Sequence, residues 1–284
     1  MAVAPIHPDT AMGRVTLSVA SLERSLEHYA RVVGLATLSA EPGAAALGAG
    51  GPPLLRLVER PGAAAVPGSP GLYHLALRVP ARADLAAALA HLLGQRRWLV
   101  GAADHLVSEA LYLIDPDGHG IEVYWDRPRA EWPREGAGVR MATRALDARG
   151  LLRLADDARA WSGLPAGTVM GHVHLRVSDL DAAAAFYRDT LGFTQMAAIP
   201  GALFLGAGGS HHHLGLNVWE SRGAPPRAQG SLGLEDMEVV LPEPAALAAV
   251  APATTAHPAP DGLPLTLSVA GSAPEPGGPR AEPG

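Results

Sequence analysis

The chain of 284 residues contains no cysteine. Disulfides, thiolate metal sites and cysteine nucleophiles are therefore excluded, and any metal has to be held by oxygen and nitrogen donors. Positive charge is not in excess: the formal net charge is −6 and the pI is about 6.0, which gives no electrostatic footprint for nucleic acid. Long hydrophobic runs are missing as well. The longest, such as Leu85 to Leu93, are too short to span a bilayer. Residues Met1 to Asp9 lack the basic and apolar segments of a signal peptide, so a cytoplasmic protein is expected. Aromatics are scarce at 5%, against 33 Gly and 26 Pro, a bias that reads as genome composition. The length suffices for two domains with real cores.

What is present is a repeat. Gly13 to Leu35 matches Gly171 to Phe193 without a gap, with identities at Val15/Val173, Leu17/Leu175, Val19/Val177, Leu22/Leu180, Tyr29/Tyr187 and Gly34/Gly192. Each copy reads as an alternating strand, then an amphipathic helix with a polar start (Ser21; Asp179) and a stopping Gly. Three short strands are expected next: Ala36–Ser39, Ala44–Leu47 and Leu54–Glu59 in one copy, Gln195–Ile199, Ala202–Gly206 and His212–Trp219 in the other. A further unit starts at Gly71–Pro80, with a helix over Asp84–Leu93 ended by Gly94, and a fourth at Gly233–Pro242. The pattern predicts an α+β chain of four tandem βαβββ units. Residues 1–130 hold one pair. Residues 131–167 form a linker with a helix over Arg144–Arg159, and residues 168–270 hold the second pair. The last unit reads as eroded, with Pro252, Pro258 and Pro260 before a lone strand, Leu263–Val269. Residues 271–284 read as a disordered tail.

The richest stretch runs from Asp104-His105 through Leu111-Tyr112 and Asp115-Pro116-Asp117-Gly118 to Glu122. Alternation places Glu122 on the face of Tyr124, with Ile121 and Val123 on the other. A carboxylate in so apolar a strand is costly unless it is paired or holds a metal. This stretch resembles the signature of type I extradiol ring-cleaving dioxygenases of the vicinal oxygen chelate superfamily. In that signature a His, an aliphatic-Tyr pair, an acidic-Pro-x-Gly turn and a metal-binding Glu follow one another. Further segments resemble its bacterial catechol 2,3-dioxygenase branch: Ile6–Thr10, Ser21–Leu26, Gly71–His74, Asp126-Arg127-Pro128, Gly171–Leu175 and His211–Asn217. The likeness covers roughly residues 5–242, and the eroded fourth unit is its clearest departure.

The resemblance implies that paired units curl into half-barrels, giving two half-barrel-type domains, with ligands from first strands and one last strand. The first-strand positions are Arg14, His74, His172 and Asp236; the last-strand position is Glu122, with Leu55, Leu216 and Thr266 as counterparts. Units one and two alone would offer an Arg, and units three and four only His172, Asp236 and Thr266. Units two and three together offer His74, His172 and Glu122, the facial set expected for Fe(II), with Mn(II) acceptable on ligand grounds. Units one and four would then form an inert half. His212 falls on the family's acid–base position and is expected on the face of Leu216. Tyr112 is expected to hydrogen-bond a substrate oxygen, and His105 to hold that oxygen or the loop around it.

Either metal histidine alone also reads as a satisfied core residue. His174 lines the pocket or simply packs; both remain open. His211 and His213 are expected to point away from His212, as surface or packing residues. His119 sits in a turn that tolerates almost any polar residue, and His7, His28, His91 and His257 read as surface residues. The implied partners are a small aromatic diol of catechol or hydroquinone type and O2, with no nucleic acid or membrane. A glyoxalase-like metal-dependent isomerase or transferase, and a non-catalytic binder of aromatics or drugs, are the competing readings.

Overall fold

The computed structural model describes residues 4–95, 99–155, 161–256 and 259–271, without side chains for 253–256. His257 and the expected tail beyond Gly271 lie outside the described residues. Unit one comprises β1 (Ala11–Val19), α1 (Leu22–His28), β2 (Ala36–Glu41), β3 (Ala44–Gly48) and β4 (Leu55–Glu59). Unit two comprises β5 (Gly71–Arg78), α2 (Arg82–Gln95), β6 (Leu99–Asp104), β7 (Ser108–Ile114) and β8 (Gly120–Asp126). The linker adds β9 (Arg134–Glu135), β10 (Gly138–Val139), β11 (Arg144–Ala145) and α3 (Ala148–Leu152). Unit three comprises β12 (Val169–Arg176), α4 (Leu180–Tyr187), β13 (Thr194–Ile199), β14 (Ala202–Gly206) and β15 (Leu214–Asn217). Unit four has β16 (Gly233–Leu241), α5 (Pro244–Ala256) and a single following strand, β17 (Thr266–Val269).

The expected helix starts are present. The Ser21 hydroxyl accepts from the Arg24 N–H, and the Asp179 carboxylate from the N–H groups of Asp181 and Ala182. Gly34 (φ 89°) caps the π-helical turn Tyr29–Val33 that follows α1, and Gly192 (φ 85°) follows the turn residues after α4, both in the left-handed region. Gly94 does not stop its helix, because α2 continues through it to Gln95. The linker helix is shorter than Arg144–Arg159. Arg144 and Ala145 instead add to the edge of β6, and Asp147 caps a helix beginning at Ala148 by accepting from the Gly150 N–H at 2.9 Å. In unit four α5 contains Pro252.

The sheets join units across the linker. One has the order β17-β16-β1-β4-β3-β2, combining units four and one; the other runs β11-β6-β7-β8-β5-β12-β15-β14-β13, combining two and three. In each, the first strands of the two units pair antiparallel at the centre, β1 with β16 and β5 with β12. The sheets pack back to back, β1 against β12 and β16 against β5, around one continuous apolar core. Alternation then divides the central strands. Leu75 and Leu77 of β5 and Val173 and Leu175 of β12 are fully buried in that core, each worth about 1.5–3 kcal/mol. His74, Ala76, His172 and His174 point to the other face.

Candidate metal centre and reaction cavity

The register of three neighbouring strands builds the site. His172 on β12 lies opposite Ala76 on β5, and Ala76 lies beside Glu122 on β8. The next row holds His174, His74 and Gly120. Residues in one row share a face, so the small Ala76 leaves the space into which His74, His172 and Glu122 converge. Glu122 Oε2 lies 3.0 Å from His74 Nε2 and 3.3 Å from His172 Nε2, and the two nitrogens are 3.4 Å apart. Ligand atoms at right angles around a divalent cation, with bonds of about 2.1 Å, are separated by about 3.0 Å. The triangle therefore fits a metal held on one face, and all three residues are buried.

Burial alone would raise the Glu122 carboxyl, yet His172 and His74 outweigh it and hold it well below the usual carboxylate range. Burial pushes His172 down to about 4, more strongly than Glu122 raises it. At neutral pH Glu122 is thus a carboxylate and His172 a neutral imidazole, the forms that ligate metals. The His172 ring rests on Tyr124 (centroids 4.9 Å) and His212 (4.1 Å). Gly171 is required beside it, since a Cβ there would lie 1.9 Å from the Tyr124 hydroxyl. Gly215 is required in the same way, because a Cβ would press to 2.7 Å against the His174 ring.

This face opens into a cavity of about 550 Å³, lined among others by Tyr73, His105, Tyr112, His174, His212 and Trp219. Val100, Ile114, Ile199 and Trp219 are exposed large apolar side chains, and all four border the same cavity. Within it, His105 Nδ1 donates to the Ala142 carbonyl (2.9 Å), and its Nε2 is 2.6 Å from the Tyr112 hydroxyl. A carbonyl only accepts, so in the neutral ring Nε2 accepts from the phenol. His105 therefore both ties down the 140s loop and orients Tyr112, whose phenol is raised well above its usual range by burial and then by Glu122. The adjoining turn is strained: Leu106 has φ 72°, with its N–H on Asp104 Oδ1 at 2.8 Å.

Several sequence expectations need correction. Register pairs Thr16 with Arg56 and His174 with Gly215, so the counterparts of Glu122 are Arg56 and Gly215. Leu55 and Leu216 instead point into the core. β15 begins only at Leu214, so residues 211–213 precede it and strand alternation does not govern them. His212 lines the cavity from this loop, away from the face of Leu216. His211 is almost wholly buried beside it, while His213 packs, accepting from the Ala207 N–H. His174 does line the cavity, bonded to the Asn217 amide at 3.0 Å. His119 is buried with Nδ1 2.8 Å from Asp115 Oδ2, and His28 is buried beside Tyr29. His91 stacks on Trp161, and His7 accepts from the Asp9 N–H. The sequence offered one overlooked signal, the i,i+4 spacing of Asp115 and His119 across a turn. Ala76 carried none, and nothing in the sequence joins His211 to Asp126.

Tandem βαβββ units curled around a cavity, with a buried His-His-Glu group able to hold a metal, define the vicinal oxygen chelate class. The chain belongs to the Glyoxalase/Bleomycin resistance protein/Dioxygenase superfamily, whose family model matches residues 11–123 and 169–259. It is 49% identical over 243 residues to a catechol-2,3-dioxygenase of Bacillus subtilis (strain 168), covering 84% of this chain and 85% of that protein. Its fold is similar to glyoxalase I from Zea mays, with a TM-score of 0.51 at 17% identity over 87% of this chain and 80% of that one. It is also similar to the cppA protein of Streptococcus pneumoniae TIGR4, with a TM-score of 0.53 at 12% identity over 91% and 98%. Among the described residues no helix is long and apolar enough to cross a membrane.

Proposed function

We propose that the protein is an extradiol dioxygenase that opens a catechol-type or hydroquinone-type ring with O2. The observation that carries this reading is the triangle of His74, His172 and Glu122 facing a cavity that also holds His212 and Tyr112. The 49% identical catechol-2,3-dioxygenase supports it. His74, His172 and Glu122 would hold Fe(II), with Mn(II) compatible with the same donors. When bound, such a metal supplies open positions where the substrate oxygens and O2 are brought together, and the redox character that joins them.

The chain's own residues do the rest. The apolar rim of Val100, Ile114, Ile199 and Trp219 admits a flat ring and excludes bulk water. Burial, first of all, and the neighbouring histidines hold the His212 ring well below its usual range, so it stands neutral and ready to accept a proton from a substrate hydroxyl. Tyr112, oriented by His105, presents a hydroxyl to the substrate or ring-opened product. In the net reaction both atoms of one O2 enter the product, and the ring opens beside the diol.

The test is oxygen uptake by protein reconstituted anaerobically with Fe(II). One O2 per catechol, with a yellow ring-opened product and loss of uptake in His172→Ala, is expected. Bound metal without uptake on catechol, substituted catechols or hydroquinone would move the protein to isomerase or transferase chemistry. A protein that binds aromatics but no metal would be a sequestering binder.

A further inference from the structure

A second layer of polar side chains lies behind His212. Asp126 ends β8, four residues after Glu122, and its carboxylate is engaged at both oxygens. Oδ2 accepts from Arg78 Nη1 at 3.2 Å and Oδ1 lies 2.7 Å from His211 Nε2. The far nitrogen of His211, Nδ1, lies 2.6 Å from His212 Nδ1. The series Arg78, Asp126, His211, His212 therefore runs from the outer end of the sheet to the cavity wall.

The direction of each bond follows from the donor inventory. Burial by itself would raise the Asp126 carboxyl, but His211 and Arg78 hold it below the usual range, so it is ionised and can only accept. His211 Nε2 must then carry the proton it shares with Asp126. His211 Nδ1 and His212 Nδ1 face each other at 2.6 Å, so one proton lies between the two rings. If it belongs to His212, the Nε2 of that ring is left as the open acceptor in the cavity wall.

We propose that Asp126 and His211 are positioning residues that fix the His212 tautomer, with the proton on Nδ1 and the accepting Nε2 turned to the substrate. The inference rests on the reading of His212 as the acid–base group. The logic parallels that of a carboxylate that orients a catalytic imidazole in hydrolases, where the acid holds the ring and is not itself protonated. Here a second imidazole is interposed, so the carboxylate acts from one ring further away. Arg78 anchors the carboxylate, which explains why an acid at the end of a metal-bearing strand stays aimed inwards.

The test is nitrogen-15 NMR of histidine-labelled full-length protein, metal-free and with diamagnetic Zn(II), the His212 signals being assigned by their loss in His212→Gln. A protonated Nδ1 and an unprotonated Nε2 are expected in the wild type, with a mixed or reversed pattern in Asp126→Asn and His211→Gln. With Fe(II), Asp126→Asn should lower kcat about 10- to 100-fold at unchanged KM and metal content, within the range general acid–base groups supply. Asp126→Glu should recover part of it. A wild-type His212 with its proton on Nε2, or an Asp126→Asn pattern like that of the wild type, overturns the proposal, and the first outcome holds whether or not Asp126→Asn folds. A wild type that shows the expected tautomer but consumes no oxygen overturns the dioxygenase reading instead.

Discussion

The two half-barrels pair their first strands in the same way at the centre of each sheet, and the side chains on those central strands differ. In the sheet of units two and three the row across the central strands reads His172, Ala76, Glu122. The same row in the sheet of units four and one reads Asp236, Thr16, Arg56. There the acid is bonded to the Thr266 hydroxyl at 2.9 Å, the Arg is paired with Glu41 at 3.0 Å, and buried Thr16 occupies the gap that Ala76 leaves open. His74 has Arg14 as its counterpart, whose backbone N–H is bonded to Glu238. A guanidinium cannot ligate a metal, and a satisfied acid–hydroxyl pair has no reason to. The fold supplies the convergence of strands; the row decides whether anything is held there.

The sharpest way to break this comparison is to remove a ligand. Glu122→Ala should abolish stoichiometric metal binding and reduce oxygen uptake by about a thousand-fold or more, as read by metal analysis and an oxygen electrode. Importing one residue from the inert row is subtler. Ala76→Thr should weaken metal affinity by about 10- to 100-fold in a titration, while a chain that folds normally shows that the gap, and not the fold, was altered. Gly171→Ala drives a methyl into the Tyr124 hydroxyl, and should lower stability by about 1–3 kcal/mol in urea unfolding.

The seam between the half-barrels gives a pH test. Tyr29 of unit one donates to Asp115 of unit two at 3.1 Å, and His119 bonds the same carboxylate oxygen. Burial would raise Asp115, but the His119 side chain, then the backbone N–H groups of His119 and Asp117, hold it below its usual value. A depressed carboxyl contributes stability that is present above its unfolded pKa and lost as the pH falls through the folded one. Urea midpoints should therefore fall on acidification below about pH 4, and less steeply in Asp115→Asn. The smallest effect is expected at the exposed Arg31–Glu27 pair of unit one, where Arg31→Ala should change stability by about 0.5 kcal/mol or less.

Much of this was legible before any coordinates. The 158-residue offset between Gly13 and Gly171 disclosed the tandem units, and the first-strand histidines and Glu122 stood out because polar groups interrupt apolar alternation. Two of the three counterparts of Glu122, Leu55 and Leu216, are one residue from their register positions, while Thr266 is at its own, because register is set by hydrogen bonds with the neighbouring strand. Alternation extended past the start of β15 makes His211 a surface or packing residue, whereas it precedes that strand and bonds Asp126. His119 and His28 are buried because Asp115 and Tyr29, their near neighbours in the chain, meet at the seam between units one and two, which no local pattern reveals.

Sequence alone determined the repeat unit, the absence of thiolate chemistry and the residue types of the metal group, since these are local matters of period and donor identity. Tertiary structure decided that a small residue at Ala76 leaves room for convergence, and that Asp126 stands behind His211. Those outcomes depend on strand register and on contacts across the linker. A pattern along the chain records which face a side chain takes, but not which neighbour it meets there.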